Sequence, residues 1–350
     1  MHAAGTPPTQ DQLAQIAGVT RLTVRRALSG GPGVGAATRK RVLELARRHG
    51  YRPNAAARAT RGGRTRTIEL ILGMHEAVSR IPTGLLEGIH AALTQRELHL
   101  SLSRLPDDKL TDERFLPRVL REVAADGLLI NYTHGYPPKL LELIQRYRVP
   151  SVWLNAPVDE WCVRPDDELA GRLAARHLLD AGYRKLAMYF VGPPDHYSGP
   201  TRQRGFVAEV EAAGLTARVD TDHARRYADI RKDIRSDERL ALAQAWLAKP
   251  DRPDAVLAYS VPEAGCLLLA AARLGLRVPE DLAIITVADE IMPYFGTPVT
   301  TVVLPWSEIA RVAVGRLCDR IDRPEDASSA PIELQARLIQ GATTRPAASA

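Results

Sequence analysis

Residues 9–29, TQDQLAQIAGVTRLTVRRALS, have the pattern of two short helices folded back around Ala17-Gly18-Val19. Thr9 can cap the first helix while Gln12, three residues on, reaches back to close a capping box. Leu13, Ile16 and Ala17 then form an apolar stripe. Gly18 supplies the positive backbone angle at which a chain reverses between two helices packed at a steep angle. Thr20 caps the second helix, on which Val24, Ala27 and Leu28 face inward and leave Arg21, Leu22, Arg25 and Arg26 outward at its N-terminal end. In a helix-turn-helix that end enters the major groove of duplex DNA. A bidentate arginine matches the O6 and N7 acceptors of guanine, so Arg21 or Arg26 is placed to read sequence as well as hold phosphate. Without the turn and the caps, the same arginines would be an ordinary solvated helix face.

Charge points the same way. Residues 1–66 hold 13 Lys and Arg against two acidic residues, Asp11 and Glu44, while the rest of the chain holds 34 basic and 39 acidic groups. A polyanion contact therefore belongs to the first 66 residues. No amphipathic helix there sets a broad apolar face against the charge, so nucleic acid is favoured over a membrane surface. A third helix is expected over Ala36–Arg48 from Val42, Leu43 and Ala46, ended by Gly50. Tyr51-Arg52-Pro53-Asn54 breaks the pattern. Asn54 can cap a short helix through Thr60, marginal alone in water, before Gly62-Gly63 releases the chain. The expected divisions are a helix-turn-helix domain at 1–53 and a hinge helix with linker at 54–66.

Beyond residue 66 apolar strand-like runs alternate with helical stretches. Strands are expected at 67–72, 99–103, 127–131, 151–154, 186–191, 255–258 and 282–287, and helices at 82–97, 169–181, 201–213, 239–248 and 263–274. This alternation predicts an α/β architecture of doubly wound parallel sheets, with ligands at the carboxyl ends of the strands. The length suits two lobes over 67–341. Residues 342–350 read as a disordered tail.

Chemistry of other kinds finds little support. Cys162, Cys266 and Cys318 are far apart in sequence, and no CxxC, HExxH or His-x-His spacing occurs, so no metal site, cofactor or disulfide framework is expected. Three sparse cysteines suit a reducing cytoplasm. Gly31-Pro32-Gly33-Val34-Gly35 lacks GxGxxG spacing and follows a helix, and neither a GxSxG nor a P-loop lysine is present. His177 reads as helical structure and not as a base. The first residues carry no apolar core of a secretion signal, and no apolar run approaches the length of a membrane span.

The run from Thr9 to Ile71, with AGVT, TVRRALSG and TRKRVLELARRHGYRPNAAARATRGGRTRTIELI, resembles the lactose-repressor/galactose-repressor family of bacterial transcriptional regulators. DGLLI, ARHLLDAGYRKLAMY and LRVPEDLAIITVADE extend the resemblance. It implies a homodimeric, cytoplasmic repressor on a pseudo-palindromic operator, with a two-lobed core like a periplasmic binding protein and lobe crossovers near 155–165 and 288–304. A small-molecule effector, a sugar or sugar derivative, would bind between the lobes and alter operator affinity. Carried over by position, Arg21, Leu22 and Arg26 read bases, Thr9, Thr20, Thr23, Ser29 and Thr38 contact phosphates, and Asn54, Ala57 and Arg58 lie on the hinge helix. Two positions depart from the pattern. Thr60 stands where the family has a leucine wedge between base pairs, which should weaken the kink, and Arg25 replaces a small hydroxyl residue.

In the core, Arg202 aligns with the family's effector-binding arginine. Ser260-Val261, preceded by Tyr259, stands at an Asn-Asp position, Ala288-Asp289 at a double aspartate, and Ser79-Arg80-Ile81 at an Asn-Pro-aromatic motif. Tyr132, His134, Trp161 and Asp167, at strand ends or crossovers, complete the expected cleft set. A solute-binding protein of the same two-lobe fold is the competing class, and it would carry a secretion signal and no basic head.

Overall fold

The computed structural model describes residues 8–49, 51, 64–74, 79–105, 125–133, 135–191, 196–220, 235–294, 296–324 and 328–347. The chain divides into two compact units, residues 1–65 and 66–350.

In the first unit, α1 (Gln10–Ala17), α2 (Arg21–Ser29) and α3 (Ala36–Arg48) enclose Leu13, Ala14, Ala17, Val24, Ala27, Val42 and Ala46. The capping box forms, with Thr9 N–H donating to Gln12 Oε1 at 2.8 Å and Gln12 N–H to Thr9 Oγ1 at 3.3 Å. Gly18 turns the chain at φ +61°, a left-handed conformation that costs glycine little. Ile16 and Leu43 depart from the expected stripes, being 47% and 46% exposed. At about 100° per residue, Leu13, Ala14 and Ala17 share one face of α1 and Ile16 lies off it, so Ala14 takes the core position. Leu43 sits just as far from the Val42–Ala46 face of α3. Arg39 and Arg41 hold the bundle together. The Arg39 guanidinium donates to Gly31 O at 2.6 Å, and that of Arg41 to Ala17 O at 2.5 Å. Each thereby places a cation by carbonyls at or just past a helix C-terminus.

The second unit is two parallel sheets with helices on their faces. Its first lobe contains β1 (Thr67–Gly73), α4 (Thr83–Thr94), β2 (His99–Leu105), β3 (Gly127–Asn131), α5 (Pro138–Arg146), β4 (Ser151–Leu154) and β5 (Cys162–Pro165). The chain then enters the second lobe through α6 (Asp167–Asp180), β6 (Leu186–Tyr189), α7 (Ser198–Ala212), β7 (Arg218–Asp220), α8 (Ser236–Leu247), β8 (Ala255–Ala258), α9 (Val261–Arg273) and β9 (Ala283–Ala288). A small hairpin, β10 (Pro293–Tyr294) and β11 (Thr297–Pro298), precedes β12 (Thr300–Val303). Next, α10 (Trp306–Asp322) packs against α4 and β3–β5 in the first lobe, and β13 (Ile332–Leu334) and β14 (Arg337–Ile339) end the described elements.

The strand orders are β2-β1-β3-β4-β5-β13 and β7-β6-β8-β9-β12-β14, with only β14 antiparallel to its neighbour. β1 lies between β2 and β3, in the register Leu70↔Leu102 and Leu70↔Leu129. Central strands such as β3, β8 and β9 are buried throughout, as strands covered on both faces must be. The order reverses beside β1 in one lobe and beside β6 in the other, and the loops leaving these points open the crevice where doubly wound sheets bind ligands.

Among the described residues the lobes are joined three times, at 165–167, 303–306 and 334–337. The first two crossings lie at the C-terminal edge of the windows expected from sequence, and the third, formed by the last two strands, was not expected. Asp166 N–H donates to Leu334 O at 2.8 Å, tying the first crossing to the third. The tail after Gly341 also differs from expectation. Thr343 and Thr344 are buried, Ala342 N–H donates to Pro298 O at 2.7 Å, and Thr343 Oγ1–H to Ile284 O at 2.6 Å. Small polar residues that read as solvated chain here satisfy buried main-chain groups, Thr343 those of Ile284 and Thr300, and the described segment runs on to residue 347.

Candidate functional site

Two surfaces carry the functional residues. On the first unit, Arg21, Leu22, Arg25 and Arg26 occupy the exposed face of α2, opposite Val24 and Ala27 in the core. Leu22 is 44% exposed on the same face. No acidic residue lies in the first turn of α2, so its positive dipole end is open to an anion. Thr20 accepts from Thr23 N–H at 3.1 Å, and the two threonine hydroxyls bond at 2.9 Å. Arg21 lies 3.2 Å from Asp11, an exposed pair of small energetic worth. Thr38 is half-buried in the first turn of α3. The Ser29 side chain, the hinge positions Asn54, Ala57, Arg58 and Thr60, and His134 lie outside the described residues.

On the second unit a cavity of about 360 Å³ opens between the lobes at the carboxyl ends of the strands. The first lobe contributes Arg80, Pro82 and Thr83 after β1, Thr133 after β3 and Asn155 after β4. The second contributes His196, Ser198 and Arg202 after β6, Tyr259–Val261 after β8, and Asp289, Glu290 and Met292 after β9. Leu304 and Trp306 reach it from the second crossing.

Arg202 is its buried anchor. Its Nε–H donates to Asp167 Oδ1 at 2.7 Å and its Nη1 to Tyr259 O at 3.0 Å, while the guanidinium lies 4.8 Å from the Tyr259 ring centroid. Burial pulls the Arg202 pKa down, but the Asp167 charge and hydrogen bond together with the Tyr259 and Tyr197 hydroxyls outweigh it, and the group is held above its ordinary value. The pair depends on how closely α6 and α7 approach: a Cβ on Gly171 would collide with Arg202 O, and one on Gly205 with Glu168 O.

Beside Arg202 runs a hydrogen-bonded chain. Ser198 N–H donates to His196 Nδ1 at 3.2 Å, so that nitrogen is an acceptor and the Ser198 hydroxyl donates to it at 2.6 Å. The Tyr259 hydroxyl, its pKa raised by burial, then donates to Ser198 Oγ at 2.7 Å. Across the cleft the Tyr197 hydroxyl, likewise pushed well up by burial, donates to Asn155 Oδ1 at 2.7 Å and links the lobes. Burial raises the Asp289 pKa, against the pull of the Arg80 charge and the Trp306 indole N–H.

The structure brings Arg202, Tyr259, Ser260 and Asp289 together on the cavity wall, with Arg80 of the Ser79-Arg80-Ile81 motif, and places Tyr132, Ser79, Asp167 and Trp161 elsewhere. Tyr132 is fully buried in the apolar core of the first lobe. Ser79 is sealed as well: its hydroxyl accepts from Gly73 N–H at 2.7 Å and donates to Asn131 O at 2.6 Å, tying the loop after β1 to β3. Asp167 stands behind Arg202 and orients it. Trp161 is remote from the cleft, in a left-handed backbone conformation at φ +52°, with the Arg320 guanidinium 4.1 Å from its ring. Asn155, His196, Ser198 and Trp306 were not read from the sequence, although the positions just after β4, β6 and β12 would have pointed to them. Cys162 is no nucleophile, since burial pushes its thiol up to about 11. Among the described residues no group of three His, Cys, Asp or Glu side chains is placed to hold a metal, and no helix is long and apolar enough to cross a membrane.

A helix-turn-helix head followed by a two-lobed, doubly wound core with an anchored cleft defines a ligand-responsive DNA-binding protein. Residues 10–54 match the bacterial regulatory proteins of the lacI family, and residues 175–344 match the periplasmic binding protein-like domain. The chain is 30% identical over 359 residues to the HTH-type transcriptional regulator AglR of Rhizobium meliloti (strain 1021), covering 97% of this chain and 95% of that protein. Among solved structures it is similar to the lac repressor dimer bound to operator and the anti-inducer ONPF, with TM-score 0.77 at 19% identity over 97% of this chain and 99% of that one. It is also similar to the transcriptional regulator CelR–cellobiose complex, with TM-score 0.61 at 25% identity over 96% and 99%. The chain belongs to the lacI family and is a helix-turn-helix transcriptional regulator.

Proposed function

We propose that this chain is a cytoplasmic, homodimeric repressor that binds a pseudo-palindromic operator and is not an enzyme. A small molecule carrying hydroxyl groups occupies the cleft and changes operator affinity. The observation that carries this reading is the buried Arg202–Asp167 pair at the floor of a cavity shared by two lobes, on the same chain as an exposed arginine face of a helix-turn-helix. Arg21, Leu22, Arg25 and Arg26 are assigned to the major groove, with Thr9, Thr20, Thr23, Ser29 and Thr38 at phosphates and Asn54, Ala57, Arg58 and Thr60 at the minor groove. Arg202, Tyr259, Ser260 and Asp289 are assigned to the effector. Carbohydrate effectors suit this cleft because it pairs guanidinium donors and a carboxylate acceptor with aromatic faces, and the CelR relative is seen with cellobiose. A change in lobe angle that couples the two ligands makes their affinities reciprocal.

The test is a mobility-shift titration of the purified protein on its own upstream DNA and on random duplex, at several salt concentrations. Specific binding should exceed non-specific binding by about 10³-fold or more and fall steeply with salt. Equal binding to both duplexes, with and without candidate sugars, would refute the repressor assignment.

A further inference from the structure

The first-lobe wall of the cleft presents a cation with nothing to hold. Arg80 lines the cavity, and its guanidinium has no hydrogen bond or ion pair with the described residues. Its backbone is nevertheless fixed. Asn131 Nδ2 donates to Arg80 O at 3.1 Å, and Ser79, immediately before it, is sealed between Gly73 N and Asn131 O. The arginine therefore extends from a rigid base at the point where the strand order reverses, a place for recognition more than for a loose surface chain. Arg202 differs in this respect, because Asp167 balances its charge. Asp289 on the opposite wall feels Arg80 through space, yet the two make no ion pair among the described residues.

We infer that the effector is a hydroxyl-bearing carboxylate, a sugar acid, whose carboxylate pairs with Arg80 while its hydroxyls meet Arg202 and Asp289. This rests on the cleft being the effector site. A guanidinium fork matches a carboxylate through two parallel hydrogen bonds. The ligand is polarised along its length: Asp289 and Glu290 repel a carboxylate on the second-lobe side, so the acidic end must face the first lobe. A cavity of about 360 Å³ accommodates a molecule of monosaccharide size.

The test is calorimetric titration of the full chain with matched probes: glucose, glucosamine and glucuronate, then galactose and galacturonate. At least one uronate should bind tenfold or more tightly than its neutral counterpart, and less tightly as salt rises. Arg80→Gln, at an exposed position, should bring that ratio close to one, while Arg80→Lys retains part of it. A neutral or amino sugar binding more tightly than either uronate overturns the inference, as does a ratio unmoved by Arg80→Gln or a lack of binding by both uronates. The double variant Asp167→Asn/Arg202→Met, which leaves no buried charge unpaired, separates the cleft assignment from the charge assignment. If it abolishes neutral-sugar binding while the uronate preference is missing, the cleft assignment stands and the charge assignment falls. If bound sugar is indifferent to the double variant, the cleft itself is not the site.

Discussion

Arg202 and Asp167 are both removed from solvent, and such a pair is far more costly to break than to replace. Removing one member leaves the other charge buried without a counter-ion, a loss of about 3–5 kcal/mol, whereas an apolar or neutral isosteric pair is often tolerated. Arg202→Met should therefore lower the melting temperature sharply. The double variant Asp167→Asn/Arg202→Met should recover most of it, and both should lose effector binding. Recovery of binding in the double variant would show that the guanidinium makes no contact with the ligand. His177 is a second residue whose environment sets a measurable property. Its Nε2 bonds Thr344 Oγ1 at 2.7 Å beneath the C-terminal segment, and burial lowers its pKa from the ordinary 6.5. As pH falls through about 6.5 the unfolded chain takes up this proton first, so it binds more protons than the native state and stability declines with acidification. His177→Gln removes this contribution. The difference in melting temperature between wild type and variant should narrow or reverse as pH falls from about 7.5 to about 5, and a constant difference would exclude this role.

At the level of elements, the contact between α6 and α7 is set by two glycines. Alanine normally favours a helix over glycine by about 1 kcal/mol, so Gly205→Ala would stabilise an unobstructed α7. Here its methyl would strike the Glu168 carbonyl, and overpacking of this kind costs about 1–3 kcal/mol. Calorimetric melting decides between the two signs: destabilisation with weakened effector affinity is expected, because Asp167 and Arg202 stand on the two helices forced apart. Stabilisation would show that the helices separate freely. The same elements show what is legible in a sequence. Strands β3, β4 and β8 were readable to the residue from short apolar runs, and Thr9, Gly18 and Thr20 from turn chemistry, because each is governed by neighbours in sequence. The 17-residue α10 and the last strands were not named, since their placement is fixed by partners in the other half of the chain. The place of Arg202 on the cavity wall is legible by family pattern and Asp167 is legible as a cleft candidate, but that Asp167 stands behind Arg202 is not, because burial depth is a tertiary property. Tyr132 shows the same limit: a tyrosine just past a strand end looks alike whether it faces a ligand or a core.

Across the whole molecule, charge is divided between a basic head and an acidic core, and on the proposed mechanism the two are coupled through a change in the core's own conformation. The Tyr197–Asn155 hydrogen bond is well placed to bias that change. It joins the start of α7 in one lobe to the end of β4 in the other, Asn155 lines the cavity at φ +52°, and the Arg164 guanidinium lies 5.7 Å from the Tyr197 ring centroid. A hydrogen bond between neutral groups contributes about 0.5–1.5 kcal/mol, enough to shift a two-state lobe equilibrium by about two- to tenfold. Tyr197→Phe keeps the ring and the cation contact and removes the hydroxyl that makes this bond. On the proposed mechanism it should change effector affinity and effector-free operator affinity together, each by a factor within that range, with little effect on non-specific DNA binding. Effector affinity is read by calorimetry and operator affinity by salt-matched mobility shift. A shift in effector affinity with operator affinity unchanged would confine the bond to local structure, because a lobe equilibrium that is linked to the operator cannot move for one ligand and stay fixed for the other.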